Sequence, residues 1–206
     1  MFHAPHLEPV PYPPPPWHLS GQSWLGVFRA DRIPLVANEY RHFLNPRHVA
    51  VALIRYLSGT LQYDELIVGS LVRHRGRIGL YVHHIWVDDL SSLWGGRKIW
   101  GLPKEMAVFT WEESRVIISD ADGLIAQIEV NQTRARVPSL PLWMPSFGNV
   151  AGQSLFTMGR INARLGKAGM RIDGWSERFE FGIAPKPFLS VAGKPFTMIF
   201  TPPTFL

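Results

Sequence analysis

The sequence predicts a mainly β protein of the α+β class, an antiparallel sheet closed or nearly closed into a barrel, with one or two short helices. Three observations carry that expectation. Apolar, β-branched runs alternate with turn residues at the roughly 8–12-residue spacing of all-β folds. The 206 residues include 18 Gly and 18 Pro, more turn formers than a helical protein needs. The stretch opening at Asp88-Asp89 carries a helix cap ahead of a plausible short helix. The length suits one hydrophobic core, so residues 17–206 are read as a single domain behind a Pro-rich arm, residues 1–16. A barrel of this size can hold one small ligand.

In order, Pro9, Pro11 and Pro13 to Pro16 keep the arm extended, lying on the surface or docked on a partner subunit. Residues 24–29 read as a strand, and Asn45-Pro46 as a turn. Residues 48–57, 65–73 and 77–87 read as strands, the last two joined at Arg75-Gly76. A helix is expected over residues 89–99, weakened by Gly95-Gly96 and ended by Pro103. Strands resume at 106–111 and 115–119, turn through Asp120-Ala121-Asp122-Gly123, and return over 124–130. Residues 138–145 read as a Pro-rich crossing segment. Residues 155–172 show a period of two with Met158, Arg160, Asn162 and Arg164 on one side, and 179–183 and 196–200 close the series.

Composition excludes several chemistries. The absence of cysteine removes disulfides, thiolate zinc sites and cysteine nucleophiles. The net charge of +5 comes from scattered basic residues without a nucleic-acid motif, so a basic surface is expected and no nucleic-acid partner. No run reaches the roughly 18 apolar residues of a membrane span, so no membrane partner is expected. The N-terminus lacks the basic start and apolar run of a secretory signal, which makes cytoplasm the expected location. In a regular strand His83 and His84 point to opposite faces, so no metal site is expected. Asn131-Gln132-Thr133 matches a glycosylation sequon that a cytoplasmic chain does not use. There is no phosphate-cradling glycine loop, and no cofactor is expected.

Residues 95–106 carry the chemical signal. Gly101 and Pro103 set an unusual backbone path immediately before Lys104, and Trp100, Leu102 and Met106 surround it with apolar side chains. From this alone, Lys104 is either a surface lysine at a strand start or an amine held in apolar surroundings. Gly96-Arg97-Lys98 followed by Gly101-Leu102-Pro103-Lys104, with Tyr63-Asp64-Glu65 upstream, resembles the acetoacetate decarboxylase family. The resemblance implies that Lys104 forms a Schiff base with a small keto acid and that Glu65 orients the amine or shuttles protons. It also implies a homo-oligomer.

The physics of such a lysine is simple. A free amine of this kind has a pKa near 10.4, and burial lowers it by disfavouring the ammonium. Acetoacetate decarboxylase is itself the standard instance of this activation. A β-carboxylate leaving as CO₂ then pushes its electrons into the iminium; an aldolase or dehydratase would use the same intermediate. A barrel that merely binds a small apolar ligand is the rival from another class. Arg97 is the candidate to grip a carboxylate, and Trp94, Trp100, Phe28 and Tyr63 are candidates to line the pocket. The chain departs from the family pattern at three points. Glu105 stands where a second lysine follows the reactive one, Lys98 replaces an acidic residue, and Gly21 and Ile54 fall near the places of a substrate-binding arginine and a further glutamate.

Overall fold

The computed structural model describes residues 8–131 and 138–206. Its first long strand, β1 (Trp17–Arg29), is followed by the short β2 (Arg41–His42), then by β3 (His48–Gly59), β4 (Tyr63–His74) and β5 (Arg77–Val87), an antiparallel series. Arg75 and Gly76 turn the last hairpin with φ of 47° and 76°, a left-handed pair suited to a two-residue connection. Helix α1 (Leu90–Ile99) follows, capped by Asp89, whose side chain accepts from the Ser92 N–H at 2.6 Å. Then come β6 (Lys104–Met106), β7 (Val108–Glu112), β8 (Arg115–Asp120), β9 (Gly123–Val130), β10 (Ser139–Val150), β11 (Gln153–Lys167), β12 (Met170–Trp175), β13 (Leu189–Phe200) and β14 (Thr204–Phe205).

Among the described residues seven strands close a barrel in the order β4, β3, β1, β13, β11, β10, β5 and back to β4. The expectation of an antiparallel sheet needs correction. β10 runs parallel to β5 through Ser146 and Phe147, and β6 runs parallel to β5 from Lys104 to Met106, so the sheet is mixed. The β5–β6 pairing is parallel because α1 carries the chain back along the barrel after β5, as a crossover must.

A second sheet, β12-β9-β8-β7, covers one outer face of the barrel. The inner face of the barrel strands places Leu19, Ile54, Tyr56, Tyr63, Ile67, Ile85 and Met198 in one core. The opposite face puts Trp24, Phe28, Val51, Leu53, Leu66, Val68 and Trp86 against Ile118, Ile125, Ile128 and Ile172 of the second sheet. Strands buried on both faces read as continuous apolar runs, which is why Leu66-Ile67-Val68 shows no alternation.

Other expectations change as well. Residues 139–150 form a strand despite Pro141 and Pro145, because β10 pairs with β5 only at residues 146–147 and the proline-bearing part keeps one edge free. The stretch 155–172 is two strands, and the break at Ala168-Gly169 sends β12 into the second sheet. Residues 179–183 form no strand beyond an isolated bridge from Ile183 to Ala30. His83 is an extra residue in β5, since Val68 pairs with His84 and Gly69 with Val82. The bulge brings both histidines near Phe181, at 5.5 and 6.0 Å, instead of on opposite faces. The arm's residues 8–16 pack on this chain's own helix and the start of β1: Trp94 Nε1 donates to the Glu8 carbonyl and Ser91 Oγ to that of Pro11, while Trp17 Nε1 of β1 donates to that of Pro13. Residues 1–7 of the arm, and Gln132 and Thr133 of the sequon, lie outside the described residues.

Candidate active site

Three elements meet at Lys104. It opens β6, 3% exposed, inside the barrel. Its Nζ donates to Glu65 Oε2 at 2.7 Å from β4 and to Ser92 Oγ at 2.8 Å from α1. Glu65 is also 3% exposed, and its other oxygen accepts from the Tyr56 hydroxyl at 3.1 Å. Tyr56 and Tyr63 face each other across the β3–β4 hairpin with ring centroids 4.5 Å apart, and Nζ lies 5.0 Å from the Tyr63 ring centre. Burial, then the charge on Glu65, pushes both tyrosines well above the ordinary phenol range, so both keep their hydroxyl protons at neutral pH.

Local sequence explains how the amine reaches this place. Ser92 sits in the first turn of α1, fixed by the Asp89 cap. The glycines that weaken the helix on propensity grounds are required by space. A Cβ on Gly96 would lie 2.5 Å from Cδ of Lys104, and one on Gly95 2.5 Å from the Trp17 ring. Gly101 has φ +64°, and a Cβ there would meet the Asn149 backbone at 2.4 to 2.6 Å. The path before Lys104 is therefore open to glycine alone. Arg97 Nε donates to the Lys104 carbonyl at 2.7 Å, which ties β6 to the helix.

The amine faces a cavity of about 40 Å³ walled by Trp17, Leu80, Val82, Trp100, Met198 and Phe200 among others. That is space for a few water-sized groups. Val82 and Leu102 also line a larger outer hollow of about 490 Å³, which includes Arg97, Tyr81 and Asn149. Of the residues singled out in the sequence, Lys104, Glu65, Tyr63 and Trp100 share the inner cavity. Arg97 stands in the outer hollow. Trp94 packs on the outer side of the helix, with its indole N–H on Glu8 and the Arg97 guanidinium 5.6 Å away. Phe28 lies in the core between barrel and second sheet, since it projects from the outer face of β1. Sequence reading missed Tyr56 and Ser92. Hairpin symmetry about residues 59–60 sets Tyr56 opposite Tyr63, a signal that was available; Ser92 gave none beyond its place three residues after a cap.

Residues 42–164 match the family model of acetoacetate decarboxylase, well over half of the chain. The chain belongs to the acetoacetate decarboxylase family. Among curated members, the acetoacetate decarboxylase of Acidiphilium cryptum (strain JF-5) is 47% identical over 63 residues, which is 31% of this chain and 23% of that protein. The matched segment thus spans about a quarter of that relative's length. Over the whole chain the family fold is also seen in solved structures. Acetoacetate decarboxylase from Legionella pneumophila superposes with a TM-score of 0.66 at 16% identity, covering 100% of this chain and 98% of that one. The enduracididine biosynthesis enzyme MppR complexed with pyruvate gives 0.60 at 16% identity, covering 97% and 91%.

Proposed function

We propose that the chain is a Schiff-base-forming lyase that decarboxylates a small β-keto acid through an iminium on Lys104. The observation that carries this reading is the buried amine held by Glu65 and Ser92 at the wall of a small, largely apolar cavity. Nζ and Oε2 are 2.7 Å apart, so one proton transfer converts an ammonium–carboxylate pair into the neutral amine and carboxylic acid.

The neutral amine adds to the ketone carbon. Glu65 returns its proton to the departing hydroxyl, water leaves, and the iminium forms. The bond to the carboxylate then breaks, CO₂ departs, and the electron pair flows through the α-carbon to the iminium nitrogen. The enamine takes a proton at that carbon, and water frees the ketone and Lys104. Tyr56 holds Oε1 throughout, which leaves Oε2 to exchange protons with the nitrogen.

A second reading has its own support. MppR, of the same fold, has been solved with pyruvate and with the condensation product of pyruvate and imidazole 4-carboxaldehyde, and an aldolase or dehydratase would use the same amine. Borohydride reduction in the presence of candidate keto acids, followed by mass measurement, tests the shared step. The expected result is one reduced adduct on Lys104, absent in Lys104→Ala, with CO₂ released from β-keto acids. An adduct with pyruvate and no CO₂ from any β-keto acid would favour the aldolase; no adduct at all would leave a barrel that only binds.

A further inference from the structure

Arg97 carries a charge that the fold does not neutralise. Its Nε donates to the Lys104 carbonyl at 2.7 Å, and the Trp94 ring centre lies 5.6 Å from the guanidinium carbon. Among the described residues it makes no ion pair and no second hydrogen bond. A guanidinium has five N–H donors, so most of them are unspent, and the side chain is half-buried. A partly desolvated cation in that condition is a receptor for an anion.

The surroundings of Arg97 say which anion. It lines the outer hollow of about 490 Å³ together with Tyr40, Tyr81 and Phe147. Glu39 is the one carboxylate among the described lining residues, and it is exposed. Val82 and Leu102 line both this hollow and the inner cavity, so one layer of apolar side chains divides the two spaces. The backbone behind that layer is pinned: the Leu102 N–H donates to the Gly96 carbonyl at 3.1 Å, and the Asn149 N–H to that of Gly101 at 3.0 Å. Passage needs rotation of side chains, not movement of a loop. The inner cavity offers an incoming carboxylate nothing comparable. Lys104 and Glu65 are the only charged side chains among the described residues lining it, and they are paired with each other at 2.7 Å.

We propose that the outer hollow is the entrance to the amine: Arg97 captures the carboxylate of an incoming keto acid there, and the ketone passes between Val82 and Leu102 to Nζ. The guanidinium is tied to the backbone of the residue that bears the amine, so the path from capture to reaction is short. Arg97 acts on arrival. A cation that stayed on the carboxylate would stabilise the group that has to leave as CO₂. This deepens the Schiff-base reading and rests on it for the fate of the ketone.

A charged and a neutral ketone of one shape test it: acetoacetate and 4-methyl-2-pentanone, which exchange a carboxylate for an isopropyl group. The initial rate at which borohydride fixes an adduct on Lys104 is measured below saturation. Arg97→Gln, whose amide can still donate to the Lys104 carbonyl, is expected to lower the ratio of the acetoacetate rate to the neutral rate about 10- to 100-fold, the scale of a hydrogen bond to a charged group. Arg97→Lys, which keeps the charge without the fork, should recover part of the ratio. Added salt should lower the ratio more steeply in the wild type than in Arg97→Gln. Leu102→Phe should slow both ketones alike, and Val82→Ile, a gentler filling of the same wall, should do so more weakly. A ratio unchanged in Arg97→Gln, whatever the rates, would leave Arg97 as a tie for β6 and overturn the capture site. Unchanged rates in both wall variants would overturn the entrance. Trapping of neither ketone by the wild type would remove the Schiff base instead. The capture site is then read by calorimetry of acetoacetate: binding lost in Arg97→Gln upholds it, and equal binding or none overturns it.

Discussion

At the scale of single residues, the site turns on how the three N–H directions of Lys104 are used. Two are taken, by Glu65 and Ser92, and the third is left for the cavity. Ser92 is wholly buried and its Oγ accepts from Nζ, so it fixes the direction of the amine without itself needing to react. Ser92→Ala is expected to slow the reaction by about 10- to 100-fold, the range for one hydrogen bond to a charged group. Ser92→Thr should recover much of that. Tyr56→Phe leaves Oε1 of Glu65 without its donor and should also lower kcat. The rate of adduct trapping at low borohydride reads both, since a serine or tyrosine that served only packing would change melting temperature and leave that rate alone. Lys104 was marked in the sequence by the Gly101 and Pro103 path before it, and its role, like that of Glu65, by the resemblance to the acetoacetate decarboxylase family. Ser92 and Tyr56 were not, because a serine in a helix and a tyrosine in a strand acquire meaning only when β4, β6 and α1 converge.

At the scale of elements, α1 is the part that propensity misjudges. Two consecutive glycines cost a helix roughly 1 kcal/mol each relative to alanine, yet this helix keeps them where the Lys104 stem and the Trp17 ring press against it. Gly96→Ala is therefore expected to separate stability from activity. The helix gains propensity, while the new methyl, 2.5 Å from Cδ and 2.7 Å from Cε, displaces the stem and draws Nζ off Glu65 and Ser92. The expected outcome is a melting temperature close to wild type with at least about a tenfold loss of kcat/KM. Equal loss of both would mean that the glycine serves the fold alone. The strands tell a complementary story. Their positions were readable from apolar runs and turns, as at Arg75-Gly76, but the bulge at His83 was not. An extra residue leaves no mark in an apolar pattern when both faces of the strand are buried, as they are in β4 and β5.

At the scale of the molecule, the barrel strands serve two cores at once, one around the cavity and one beneath the second sheet. That second sheet escaped sequence reading because its strands β7 to β9 look like any barrel hairpins; only the pairing of β12 with β9 separates them. The bulge in β5 sits at the junction and gives the whole fold a pH dependence. His83 is half-buried, its Nε2 lies 2.8 Å from Ser70 Oγ, and its pKa falls to about 4, through burial first and then the neighbouring His84 and His42. Burial lowers His84 too, against a smaller opposing effect of Glu180. In the unfolded chain His83 takes up its proton near pH 6.5, whereas the folded protein resists until about pH 4. Between these values the unfolded state binds more protons, so stability rises with pH. The contribution is fully present above pH 6.5 and is lost as pH falls toward 4, with an upper limit of about 3 kcal/mol from His83 alone. Asp88, whose carboxyl burial pushes upward, works in the opposite sense at the acid end of this window. Urea midpoints measured between pH 4 and pH 7 should fall steadily with acid in the wild type. They should fall less steeply in His83→Gln, which keeps a hydrogen-bonding group toward Ser70 without titrating. Parallel slopes for the two proteins would remove His83 as the source and leave acid sensitivity to other groups.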